Sequence, residues 1–207
     1  MTARAEREAK EADAVRNRQQ EATRKGTTYK PSESERSLMA RTGASVAHCP
    51  LSNFYFANSV FPARTGNQQQ LGMGLATDIS GGYSPSMFDA CRHAMTAALA
   101  LHEGTDPDQP SSARGRAAQD RPARIDHVFA LWLATAAGGH ALDLPIGRIE
   151  PGYAMDAIAV DCSAPDSNIW LWDGEDSAAD VLQKIMHNAT RANVAQVWVQ
   201  GQRVHAR

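Results

Sequence analysis

The apolar positions change their period along the chain. In the stretch AEREAKEADAVRNRQQEATRKG, Val15 is the only large aliphatic residue, and pairs such as Arg4/Glu8, Glu6/Lys10 and Arg7/Glu11 stand at helical i,i+4 spacing. This pattern describes a solvated helix or a frayed tail with almost no face to bury. A globular pattern starts near Ser34. Leu38 and Met39 lie on a short helical run that Gly43 ends. Ala44 to Ala47 reads as a short buried strand, which Pro50 must close because it has no N–H to give a ladder. Residues 51–70 read as a loop with aromatic insertions at Phe54, Tyr55, Phe56 and Phe61. LGMGLA at 71–76 reads as a second strand that delivers Thr77 and Asp78.

A helix is predicted next. Ser84 stands as its N-cap, Pro85 at its first position, and Ser86 with Asp89 resembles a capping box. Phe88, Cys91, Met95 and Leu99 recur at helical spacing and mark an inward face. The polar segment 103–124 follows as a loop. A second amphipathic helix runs from Asp126 to Ala137, with Val128, Phe129, Trp132, Leu133 and Ala136 inward and Gly138-Gly139 as its breaker. After residue 150 the period shifts again: a strand at 153–161, a helix at 176–187, and a terminal hairpin from 194–199 to 203–205. The four tryptophans, Trp132, Trp170, Trp172 and Trp198, are expected in core or interface packing.

Composition narrows the possible functions. Lys and Arg number 21 against 23 Asp and Glu, which excludes a nucleic-acid protein held by bulk positive charge. No apolar run reaches the roughly 18 residues of a membrane span, and no charged segment leads an apolar core at the start of the chain. Cys49, Cys91 and Cys162 are odd in number and far apart, which speaks against a disulfide framework. The expectation is a reduced, cytoplasmic protein that binds neither nucleic acid nor membrane.

Asp78 is the leading chemical candidate. A carboxylate at the C-terminal end of a small-residue strand either caps a turn or acts as a metal ligand and proton carrier. His48 and Cys49 also follow a strand, but one His beside one Cys is not a metal motif, and a loop His bonded to backbone is the plainer expectation. Gly72 and Gly74 lack the third glycine of a dinucleotide fingerprint and suit close packing around the strand. Asp156 reads as a structural turn residue.

The motifs in order resemble a known family. Ala47-His48-Cys49-Pro50-Leu51-Ser52-Asn53 is similar to the HCPxSN segment of zinc aminohydrolases of the amidohydrolase superfamily. Gly74-Leu75-Ala76-Thr77-Asp78-Ile79-Ser80-Gly81-Gly82-Tyr83-Ser84 resembles the GLGTDxxGGYS segment of its guanine deaminase branch. The spacing of 30 residues between His48 and Asp78 agrees. LATAAGGHAL at 133–142, IGRIEPGYAMDA at 146–157 and VWVQG at 197–201 are similar to further segments of the same branch.

The resemblance implies an α/β fold: a partial TIM-type (β/α) barrel, holding strands seven and eight with their helices, plus a small C-terminal β domain. The implied divisions are a charged extension at 1–33, the barrel part at 34–145 and the β domain at 146–207. A complete barrel usually takes about 250 residues. The implied activity is deamination of guanine or a related aminopurine with Zn2+ as cofactor. Asp78 would be the catalytic carboxylate and metal ligand, and His48 and Asn53 would shape the floor of the substrate site. The same branch carries an HxH pair after strand one and histidines after strands five and six. This chain has no HxH, and GTTYKP, about 20 residues before His48, holds no His. Only Asp78 of the ligand set has a counterpart, so the resemblance implies a truncated enzyme or, alternatively, a non-catalytic binding or assembly module. Unpaired strand edges imply a homo-oligomer or a partner subunit.

Overall fold

A computed structural model describes residues 33–57, 60–104 and 123–206, together with Lys10, Asp13, Ala14 and Asn17. Of the charged extension, Lys10, Asp13, Ala14 and Asn17 are helical and exposed; the rest of the extension, and most of the 103–124 loop, lie outside the described residues.

Helix α1 (Glu33–Thr42) leads through Gly43, at φ 73°, into strand β1 (Ser45–His48). The chain returns to the sheet as β2 (Gly72–Leu75), parallel to β1 with Ser45 opposite Gly72 and His48 opposite Leu75. A parallel pair needs a crossover. Here it is a helical turn at Pro50–Ser52 running into a π-helix at Asn53–Ala57, then α2 (Ala63–Gln68). Leu71, Met73 and Leu75 are buried. The glycines of β2 are dictated by contact: a Cβ on Gly72 would stand 2.4 Å from Ser45 Oγ, and one on Gly74 would stand 2.9 Å from Gly138 Cα.

Three helices complete this layer: α3 (Met87–Glu103), α4 (His127–Ala134) and α5 (Ala136–Ala141). Ala90, Cys91 and Ala94 of α3 meet Ala130 and Leu133 of α4 and Ala137 of α5 in one cluster with Met73 and Leu75. Small residues on α3 let the helices approach closely, and dispersion over many such contacts holds the layer together. Arg92 ties α3 to the later part of the chain. Its guanidinium donates to Met186 O (3.1 Å) and Ala189 O, and pairs with Asp89 (2.8 Å).

Strand β3 (Ala157–Val160) pairs antiparallel with β4 (Val194–Val199), and β4 with β5 (Gln202–Ala206). Asp156 closes this sheet at one end, where its Oδ1 accepts from the Gln200 N–H at 2.8 Å. Asn193 closes the other. It is fully buried and satisfied, donating to Asp161 O and Ser167 Oγ and accepting from the Thr190 N–H. Helix α6 (Ala178–Asn188) begins at a reciprocal capping box between Ser177 and Asp180 and sends Met186 into the main core.

Several expectations are corrected. Ser86, not Ser84, caps α3, accepting from the Asp89 N–H. Ser84 instead donates to Asp89 Oδ2 at 2.6 Å, so Pro85 lies before the cap. The inward face of α3 is Ala90, Cys91, Ala94, Ala97 and Ala98, while Leu99 is exposed. The helix after Asp126 breaks at Thr135, and Gly138 and Gly139 lie inside α5. Their position follows from packing, since a Cβ on Gly139 would meet Ile146 O at 2.2 Å. Val128 is exposed. Much of 51–70 is helical rather than loop. Trp170 and Trp172 are exposed at 77% and 66% and have no core role within this chain.

Gly74→Val tests the close approach of β2 to α5. It forces a side chain into backbone and should cost about 2 to 3 kcal/mol in urea unfolding. Val204→Thr, on an exposed strand position, should change stability by less than about 0.5 kcal/mol.

Candidate active site

The C-terminal ends of two parallel strands carry the candidate residues. Beyond β1 come Cys49 and the Pro50–Ala57 helical segment; beyond β2 comes the loop from Ala76 to Ser84. The Ala76 N–H donates to His48 O at 2.9 Å, extending the ladder by one bond and holding the two ends together.

Asp78 is exposed and sits at φ 49°, in the left-handed region that Asp tolerates better than most residues. Its carbonyl accepts from the Gly82 N–H and closes a tight loop. Gly81 and Gly82 are there for space. A Cβ on Gly81 would stand 2.7 Å from Asp78 Oδ2, and one on Gly82 would stand 2.6 Å from Thr77 O. The loop therefore presents the carboxylate outward instead of using it as a helix cap.

Cys49 lies within electrostatic reach of Asp78. Burial, and then the Asp78 charge, push its thiol pKa up. A raised pKa makes the free thiol harder to ionise. His48 and Asn53 are placed differently from Asp78. Asn53 is half-buried and starts the π-helix, its N–H donating to Cys49 O at 3.0 Å. His48 is 2% exposed and its ring lies 5.4 Å from that of Phe61. Neither ring nitrogen has a hydrogen-bond partner among the described residues, contrary to the expected loop His bonded to backbone. Burial lowers its pKa from 6.5 to about 4, so it is neutral at pH 7.

Sequence reasoning missed an aromatic rim. Tyr55, after β1, meets Tyr83, after β2, edge-on at 5.8 Å, and Tyr55 also meets Phe56 at 5.6 Å. Both tyrosines are 67% exposed. The signal available was the appearance of aromatics in both strand-end loops.

The donor set does not fit a zinc ion. Among the described residues no three His, Cys, Asp or Glu side chains converge. A catalytic zinc takes about three protein ligands plus water, and Asp78 with Cys49 falls short among the described residues. Two clefts lie elsewhere. One of about 330 Å³ is lined by His140, Asp143, Arg148 and Tyr153, and one of about 390 Å³ by Arg92, Arg124, His127 and His187. Neither is lined by Asp78, His48 or Asn53.

The fold and these strand-end loops define a protein class, and comparison with known proteins identifies it. Residues 6–204 match the amidohydrolase family, and the chain belongs to that family. Among curated relatives, guanine deaminase of Mus musculus is 32% identical over 178 residues, covering 84% of this chain and 36% of that protein. The chain thus spans about a third of the length of such relatives. Two solved structures share the fold. Guanine deaminase from C. acetobutylicum, with bound guanine, has a TM-score of 0.68 at 21% identity over 84% of this chain and 37% of that one. A zinc-bound adenosine deaminase from Xanthomonas campestris has a TM-score of 0.63 at 25% identity, over 86% and 35%. A different similarity covers 41 residues, 20% of this chain, which are 83% identical to the murein hydrolase activator EnvC of Escherichia coli and cover 10% of it. No helix among the described residues is long and apolar enough to cross a membrane.

Burial of His48 makes stability depend on pH. Between pH 6.5 and 4 the unfolded chain binds a proton that the folded chain refuses, so protons favour unfolding in that window. The His48 contribution is complete above pH 6.5, falls as pH drops and is lost below about 4. The shift is on the order of 3 kcal/mol. Urea midpoints measured across this range should fall with acidification, and His48→Gln should flatten the slope.

Proposed function

We propose that residues 34–207 are the C-terminal portion of a guanine-deaminase-type aminohydrolase. Residues 34–145 would contribute strands seven and eight of a (β/α) barrel with their helices, and 146–207 a small β domain. The reaction is guanine plus water to xanthine plus ammonia, as part of purine breakdown in the cytoplasm. Water adds to the ring carbon that bears the amino group, the C–N bond breaks, and the amine leaves with a proton. Of the two water protons, one ends on the ring nitrogen beside that carbon and the other leaves with the amine as the C=O forms; Asp78 takes the proton from the attacking water and hands it on. His48 and Asn53 support the floor from beneath the first loop. The observation that carries this reading is the Asp78 loop, whose left-handed turn and glycines turn the carboxylate outward beside the HCPLSN loop. Its support is the run of motifs together with the 32% identity to guanine deaminases.

Zinc is expected for an assembled enzyme of this family, since a relative of known structure is zinc-bound. Asp78 is the metal ligand that this chain would contribute. The shortage of donors also supports a second reading, a non-catalytic assembly module.

Residues 1–33 are proposed as an extension outside the deaminase unit. The EnvC-like stretch is placed mainly there, because the deaminase motifs occupy 47–201 and the composition changes before them. The family match reaches back to residue 6, so the two similarities would then share part of the chain.

A single-chain graft tests the activity. Residues 44–206 replace the corresponding C-terminal part of mouse guanine deaminase, and xanthine and ammonia are measured. The graft should turn over guanine, and Asp78→Asn within it should lower kcat by about 100-fold or more. A folded, zinc-loaded graft inert toward guanine would sink the proposal.

A further inference from the structure

Three hydrogen-bonded side chains join the Asp78 loop to the C-terminal part of the chain. Ser84 ends the loop and is buried. Its Oγ accepts from the Ser86 N–H at 3.2 Å and donates to Asp89 Oδ2 at 2.6 Å. The other carboxylate oxygen of Asp89 accepts from Arg92 Nη1 at 2.8 Å. Arg92 in turn donates from Nε to Met186 O at 3.1 Å and from Nη2 to Ala189 O. The guanidinium thus holds one carboxylate and two carbonyls at once, a fork that only arginine presents. An isolated surface ion pair adds little. Asp89 does more than pair with Arg92, because it gives one oxygen to each neighbour and so bridges the loop to the guanidinium.

Both ends of this linkage need what it supplies. The last carbonyls of a helix lack partners within it. Arg92 brings donors and a positive charge to the end of α6, where Ala189 is fully buried. At the other end, the turn that carries Asp78 is closed by the Gly82 N–H bond to Asp78 O. One side of that turn rests on Leu51, which a Cβ on Gly82 would meet at 3.3 Å. Gly82 lies two residues before Ser84, so a displacement of Ser84 passes directly into the turn that aims the carboxylate.

We propose that Ser84, Asp89 and Arg92 are positioning residues, through which the end of α6 sets the place of the Asp78 loop. Their action passes through the loop backbone. The catalytic meaning of the linkage rests on the reading of Asp78 as the proton-carrying carboxylate; the linkage itself does not. The unit that holds β3, β4 and β5 then serves the site as an anchor, since Ala189 leads into the turn at 190–193 from which β4 starts. If Arg92 merely tied two helices together, its loss would loosen the end of α6 and leave the loop unchanged.

Amide hydrogen exchange on the full 207-residue chain separates these two roles. The Gly82 N–H reports the loop, and the Ala189 N–H, bonded to Ile185 O at 2.8 Å, reports the end of α6. The Ala130 N–H, bonded to Asp126 O at 3.0 Å on a fully buried residue, is the internal standard. Arg92→Lys keeps the charge but cannot reach three acceptors together. It should speed exchange at Gly82 by about threefold or more beyond any change at Ala130. Ser84→Ala, which leaves the bonds to α6 in place, should speed Gly82 by a similar factor and leave Ala189 unchanged. The double variant should add nothing further at Gly82, because both changes cut the same linkage. Unchanged exchange at Gly82 in Arg92→Lys, or two effects that multiply, overturns the proposal. Should Arg92→Lys not fold, Asp89→Ala cuts the linkage at its middle while sparing the carbonyl bonds, and a loop indifferent to it overturns the proposal equally. In the mouse-enzyme graft, Ser84→Ala should lower kcat by about threefold or more with KM little changed, the split expected of a misplaced proton carrier. An active graft whose kcat ignores all three changes overturns the positioning role. An inert graft, with the expected exchange at Gly82 in the full chain, removes the deaminase reading and supports the linkage.

Discussion

The close approach of backbone to backbone at β2 organises the rest of the structure. Gly74 lies where a single Cβ would press on Gly138 Cα, and Gly72 where it would press on Ser45 Oγ. A side chain at Gly74 would move β2 away from the backbone of α5, while one at Gly72 would press on the Ser45 hydroxyl and force it to turn aside. The strand is thereby fixed in position, and its C-terminal end is fixed with it. The loop that carries Asp78 inherits that precision, because the Ala76 to His48 bond continues the ladder to the last residue before the loop turns. Rigid elements hold a functional group better than loops do, and here a short loop is anchored directly to a strand that cannot shift.

Much of this was legible in the sequence where local chemistry dictates structure. Pro50 ended β1, GMG marked β2, and the hairpin at the C-terminus followed from alternation and its Gln200-Gly201 turn. What sequence alone missed was set by distant contacts. The α3 face was read from Phe88, Cys91, Met95 and Leu99; Cys91 is buried and Phe88 and Met95 pack against the core, but alanines make the closest approach and Leu99 faces out. Gly138 and Gly139 were read as a break, yet they remain helical because β2 and Ile146 crowd them. The aromatics of 51–70 suggested a loop, since a π-helix has no repeat that a 3.6-residue period would reveal. At the site, Asp78 was legible through its glycines, whereas Cys49 beside it and the Tyr55–Tyr83 contact needed the two strand ends to be seen together.

The two residues that follow each other at the end of β1 illustrate how position sets chemistry. His48 is buried and held neutral, with a pKa near 4. Cys49 turns the other way and feels Asp78, with its thiol pKa raised. His48 therefore brings no charge at neutral pH, and burial with the nearby Asp78 makes the Cys49 thiol harder to ionise.

The two sides of the parallel strand pair are built differently. Catalytic groups in (β/α) barrels come from the ends of several different strands. Stability comes from the helices packed behind those strands, and here that side is well supplied: the Ala-rich face of α3, Leu133, Met186 and the Arg92 bonds knit the helices together. The side that faces chemistry has no such closure. It holds the exposed Asp78 and two exposed tyrosines, and each of β1 and β2 is paired along one edge only among the described residues. One side of the strand pair is thus closed by packed helices, while the strand-end loops on the other present aromatic rings and a carboxylate to solvent.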